Sequence, residues 1–70
     1  MQVIFTIHAK ERMLQRGINE NTVKEIIEKP DFIENTFLGR KIAVKMLVKK
    51  WNVVYIEEEN KLIVLSVYFD

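Results

Sequence analysis

The chain lacks several residue types on which small proteins often depend. Its 70 residues include no cysteine, one proline, two glycines and one histidine. Without cysteine, neither a disulfide framework nor a cysteine-ligated metal site can form. Two separated glycines exclude a glycine-rich phosphate loop, and one histidine among scattered carboxylates is a poor ligand set for a transition metal. We therefore predict no metal and no cofactor.

An excess of one charge and a long apolar run are also missing. Eleven basic and ten acidic residues leave a net charge of +1, so any cationic site must be local. No apolar run approaches the roughly 20 residues that span a bilayer, and no signal-peptide pattern is visible. We expect a soluble, cytoplasmic protein without membrane contact. Its composition, rich in Lys, Glu, Ile and Val and poor in Gln, is typical of thermophiles.

Two short helices are predicted in the first half of the chain. Thr6 is an N-cap candidate for a helix over Ile7–Gln15, which Gly17 closes in the left-handed conformation. Asn19 is the N-cap candidate for a second helix over Glu20–Lys29, and a proline follows it.

Beyond that proline the apolar period becomes alternating, which predicts strands. The predicted strands are Asp31–Phe37, Lys41–Val48, Trp51–Glu57 and Leu62–Phe69, with turns at Leu38–Arg40, Lys49–Lys50 and Glu58–Asn60. The segment Met1–Phe5 is either an extended arm or an edge strand. The predicted fold is a single α+β domain over residues 1–70, with two N-terminal helices packed on a three- to four-stranded antiparallel sheet. Two helices cover one face only, so we expect a homo-oligomer that covers the other.

The most informative stretch is His8–Asn19, which contains the only histidine and two of the three arginines. His8, Arg12 and Arg16 follow each other at intervals of four residues, so they lie along one edge of a helix. A titratable imidazole beside two permanent cations suits an anionic partner such as a phosphate.

The motif His-Ala-x-x-Arg-Met-x-x-Arg-Gly-Ile at residues 8–18, followed by a short helix, a proline and several strands, resembles a prokaryotic family known chiefly as a domain of unknown function. Ser66, Val67 and Tyr68 resemble the end of its last strand. That family is similar to the RelE, ParE and BrnT toxins of toxin–antitoxin modules, many of which are ribonucleases. The resemblance implies a RelE-like fold, RNA or the ribosome as target, and a possible antitoxin partner.

As a metal-independent ribonuclease, the protein would use His8 for proton transfer and Arg12 and Arg16 for phosphate binding. Ser66 would support catalysis by binding a phosphate oxygen or His8. Structural roles are the alternatives: His8 bonding a sheet carbonyl, the arginines in ion pairs with nearby glutamates, and Ser66 bonding a backbone group.

Lys41, Lys45 and Tyr68 are the predicted RNA-binding residues. Lys41 and Lys45 share one strand face and suit an RNA backbone, and Tyr68 suits stacking on a base. Alternatively, the lysines protect an edge strand from aggregation and Tyr68 lies at a dimer surface. The whole protein has two further interpretations, a binding module for RNA or protein without catalysis, and a structural homodimer.

Overall fold

A computed structural model describes residues 2–70, which form one five-stranded sheet with two helices on one side. The elements are β1 Gln2–Phe5, α1 Ile7–Arg16, α2 Glu20–Glu28, β2 Phe32–Asn35, β3 Arg40–Leu47, β4 Lys49–Glu58 and β5 Lys61–Phe69. The strand order is β1-β5-β4-β3-β2, in which β1 and β5 are parallel and all other neighbours are antiparallel.

The prediction of an α+β fold with two N-terminal helices holds, but the prediction of three or four antiparallel strands is wrong. The first strand adds a fifth member to the sheet and makes it mixed, because Gln2 aligns with Lys61 and Phe5 with Val64 in the same direction. Antiparallel neighbours leave a local signal in the turn that joins them, whereas parallel neighbours are joined through a long crossover. Here the crossover includes both helices and three strands, so no local pattern indicated the pairing.

Both helix starts are confirmed. The Thr6 side chain accepts a hydrogen bond from the backbone N–H of Ala9 at 3.1 Å, and the Asn19 side chain accepts one from Thr22 at 2.8 Å. Gly17 ends α1 with a φ of 70°. Each cap satisfies a backbone donor that the first turn of a helix leaves without a partner.

The predicted turn at Lys49–Lys50 is wrong, because both residues belong to β4. The chain reverses at Val48, which has a φ of 67° and a fully exposed side chain. Such a backbone conformation disfavours a β-branched residue, so sequence preference pointed to the polar pair instead.

The two sides of the sheet differ in what covers them. The helix face is the side on which α1 and α2 pack, and the apolar strand residues that it contributes to the core are Val3, Phe5, Ala43, Leu47, Trp51, Val53, Tyr55, Leu62, Val64, Val67 and Phe69. They surround the helix residues Ala9, Met13, Val23, Ile26 and Ile27. Ala43 is fully buried. The opposite side is called the open face below.

A bulge in β5 decides which residues lie on the open face. Tyr55 pairs with Val64 but Val54 pairs with Ser66, so Leu65 is an extra residue in the ladder. Alternation therefore changes phase at Leu65. The bulge thereby places Val67 on the helix face with Val64, and Ser66 and Tyr68 on the open face.

Candidate nucleic-acid interface

The first helix lies over β5 through its buried residues Ala9 and Met13. His8 and Arg12 each precede one of these buried residues, so they follow the margin of the buried stripe, and Arg16 continues the row one turn later. His8 is exposed, and Arg12 and Arg16 are half-buried. The row His8, Arg12 and Arg16, called the α1 edge below, is thus open to solvent.

The start of α1 is attached to β5 by Thr6. Its backbone N–H donates to the carbonyl of Val64 at 3.1 Å, and its hydroxyl donates to the carbonyl of Leu65 at 3.4 Å. The second bond reaches the bulge residue, whose backbone is displaced from the ladder. His8 follows two residues later, so this anchor fixes the position of its backbone relative to the sheet.

Arg12 makes a local contact that the sequence analysis missed. One guanidinium nitrogen donates to the side-chain oxygen of Gln15 at 2.8 Å. The spacing of three residues on a helix was the available signal. Gln15 is neutral, and within residues 2–70 neither Arg12 nor Arg16 forms an ion pair with a carboxylate. The guanidinium of Arg12 keeps its charge and further N–H donors for a phosphate.

Ser66 and Tyr68 are not brought together with the α1 edge. Ser66 pairs with Val54 and Tyr68 with Asn52, which places both on the open face. The sheet separates them from α1, so the hydroxyl of Ser66 faces away from His8. Their predicted roles require a ligand on the side of the sheet opposite the helices.

Lys41 and Lys45 lie on the helix face by strand register, and both ammonium groups have partners within the chain. Lys45 donates to the carbonyl of Lys29 at 2.7 Å, which satisfies an acceptor at the end of α2. Lys41 forms an ion pair with Glu57 at 2.6 Å. The hydrogen bond to Glu57, assisted by its negative charge, raises the pKa of Lys41 above 10.5.

Other kinds of site find little support in the part of the chain that the structure describes. Over residues 2–70, the histidine and the acidic residues form no group of three able to hold a metal ion. The same residues enclose no pocket for a small molecule. Neither α1 nor α2 combines the length and the apolar character needed to cross a membrane.

Comparison with known proteins identifies the family of the chain but no individual relative. A family model described as Domain of unknown function (DUF4258) matches residues 5–69. No curated protein and no solved structure matches the chain. The family match confirms the predicted resemblance to a domain of unknown function, while the resemblance to the RelE, ParE and BrnT toxins stays a prediction. Because the match includes nearly all of the 70 residues, the chain belongs to the DUF4258 family.

Proposed function

We propose that this protein is a metal-independent ribonuclease of the toxin–antitoxin type and that it acts through the α1 edge. The observation that carries the proposal is an exposed imidazole in one helical row with two arginines that have no carboxylate partner within residues 2–70. Since these residues enclose no pocket, the substrate is a polymer that lies across the surface, such as an RNA strand or the ribosome. An RNA substrate agrees with a cytoplasmic location.

The chemistry needs only groups that the RNA and the α1 edge supply. His8 accepts the proton of a ribose 2′-hydroxyl, whose oxygen attacks the adjacent phosphorus. A 2′,3′-cyclic phosphate forms as the bond from phosphorus to the 5′-oxygen breaks, and the leaving oxygen takes a proton from the imidazolium or from water. Arg12 and Arg16 stabilise the negative charge that develops on the phosphoryl oxygens.

Lys41, Lys45 and Tyr68 remain candidates for further RNA contacts. An ammonium group has three donors, and the contacts with Glu57 and the Lys29 carbonyl use one on each lysine. If these lysines bind phosphate as well, each substitution will reduce the salt dependence of RNA binding. Because Tyr68 lies on the open face, it can contact only an RNA strand that extends from the α1 edge around the edge of the sheet.

Labelled total RNA in EDTA, with and without ribosomes, tests the proposal. Wild-type protein should cleave, and His8→Ala should lower the rate about 100-fold or more because the general base is lost. Arg12→Ala should lower the rate by a similar factor, and Arg12→Lys by less, since an ammonium retains the charge but not the paired N–H groups. Leu14→Ala is the matched control on α1, because the Leu14 side chain is 86% exposed.

Two results would contradict this assignment. Unchanged cleavage by His8→Ala would remove the imidazole from the mechanism. Loss of cleavage by Ser66→Ala with an intact fold would place the chemistry on the open face, where Ser66 lies, and not on α1.

Binding without cleavage is the second candidate function. It is favoured by the lack of a second proton-transfer side chain on the α1 edge, since Ser66 lies on the opposite side of the sheet. In that case RNA stays intact, binding weakens steeply with salt, and Arg12→Ala and Arg16→Ala both reduce it. An acidic antitoxin segment is the alternative ligand for the same cations, and a competition assay with a polyglutamate peptide distinguishes it from RNA.

A further inference from the structure

We propose that the open face of the sheet binds a second copy of this chain, face to face, to form a two-fold symmetric dimer. Both helices pack on the other side, so no described element covers this face. By strand register its apolar residues are Ile4, Phe32, Ile42, Val44, Met46, Val54, Ile56 and Ile63. Val44 is only 2% exposed, whereas the other seven are half-buried or exposed and present an apolar surface to solvent.

These residues form one continuous patch and not scattered positions. Ile4 pairs with Ile63, and Ile63 pairs with Ile56, so one row of isoleucines crosses β1, β5 and β4. Val54 and Ile42 pair in the next row. At the end of the face near Val48, the side chains of Phe32 and Met46 are 47% and 60% exposed. A contiguous patch of this kind is the usual mark of an interaction surface.

The area of the face is close to what a small specific interface needs. Neighbouring strands are about 4.8 Å apart and residues rise about 3.3 Å, so five strands over six residues give roughly 500 Å² per copy. Two copies bury about 1,000 Å², near the lower limit for a specific interface. A chain of about this size also buries too little surface alone to be more than marginally stable, so pairing adds stability.

Charge favours a second copy as the occupant. The charged residues of the face lie around its apolar centre. Glu34 and Arg40 are at the β2–β3 margin, and the others are at the strand ends, where Lys50 forms an ion pair with Asp70 and Glu58 pairs with Lys61 in the ladder. Glu34 aligns with Ile42 and Arg40 with Ile56, so the two charges occupy adjacent rows. With a two-fold axis that crosses the strands between these rows, Arg40 of each copy approaches Glu34 of the other. The same contact then occurs twice, as an isologous interface requires.

Sedimentation equilibrium from about 1 to 100 µM tests the proposal. The wild-type protein should be dimeric in this range, and a monomer at all concentrations would overturn the inference. Glu34→Arg and Arg40→Glu change exposed side chains, so both variants should keep the far-UV circular dichroism of the wild type. Each brings like charges together at both contacts and should weaken dimerisation about tenfold.

An equimolar mixture of the two variants is the decisive measurement. One variant carries arginine at both positions and the other glutamate, so every contact in a mixed dimer joins opposite charges. The mixture should regain the affinity of the wild type, whereas an ion pair within one chain would not respond to mixing. Leu14→Arg is the matched control, since it adds charge on the outer surface of α1 and should leave association unchanged. Equal dissociation constants for all variants would refute the proposed face.

Discussion

The Thr6 side chain both caps α1 and attaches it to β5, and substitution of this residue tests how much these two contacts stabilise the fold. In Thr6→Ala the N-cap bond from Ala9 and the bond to the Leu65 carbonyl are both lost. Loss of an N-cap costs about 1 kcal/mol, and loss of a second, half-buried hydrogen bond costs about 0.5–1 kcal/mol. The free energy of unfolding should therefore fall by about 1.5–2 kcal/mol.

Two control variants separate the contribution of the Thr6 hydroxyl from that of an ordinary helix cap. Thr6→Ser retains the hydroxyl and should cost only a few tenths of a kcal/mol. Asn19→Ala removes an exposed cap with a single bond and should cost about 1 kcal/mol. Urea unfolding followed by circular dichroism measures all three, and the melting temperature of Thr6→Ala should fall by about 6–16 °C for a domain of this size. If Thr6→Ala is no less stable than Asn19→Ala, or if Thr6→Ser is equally damaged, the bond to the bulge does not stabilise the fold.

Three other predictions concern the turns and the lysines. Val48→Gly should raise the free energy of unfolding by about 1 kcal/mol, because glycine adopts the left-handed conformation without the strain of a β-branched residue. The fully exposed Val48 side chain makes no packing contribution that would be lost. A lower melting temperature in differential scanning calorimetry would contradict this prediction. Glu57→Gln should return the raised pKa of Lys41 towards 10.5 in an NMR titration, and an unchanged pKa would exclude the ion pair. Because the pKa is raised in the folded state, the pair stabilises the fold below pH 10.5, and this stabilisation is lost as the pH rises through the raised pKa. Lys45→Met should lower the free energy of unfolding by about 1 kcal/mol, since the Lys29 carbonyl loses its hydrogen-bond donor. A chemical denaturation curve identical to that of the wild type would show that this hydrogen bond is not formed in solution.

Local features were predicted well because each has a residue-level cause. Thr6 and Asn19 accept the first free donors of their helices, and Gly17 adopts the conformation that it tolerates best. The row of His8, Arg12 and Arg16 follows from helical spacing alone, so its position on one edge of α1 was available from the sequence.

Non-local features were not predicted, and these decide the composition of the candidate site. The bulge at Leu65 reverses which residues of β5 face the helices, and no residue type in this strand marks it. Ser66 was therefore grouped with His8 although the sheet lies between them. Lys41 and Lys45 were predicted to share one strand face, and the structure places that face on the side of the helices, which an alternating sequence does not show. The small Ala43 between them is the residue that packs in the core.

The parallel pairing of β1 with β5 also has a consequence for the order of folding during synthesis. Thr6 and Leu65 are 59 positions apart and are joined by a hydrogen bond, so the ribosome must release nearly the whole domain before this contact can form. Until then the hairpins of β2 to β4 can assemble from nearby segments, while β1 and the start of α1 wait for the last strand. Contacts between distant parts of a chain slow folding, and the late contact here attaches the start of α1, where His8 lies. If the proposed activity is correct, a nascent chain would acquire it only after β5 has left the ribosome, so shorter nascent chains would not cleave RNA.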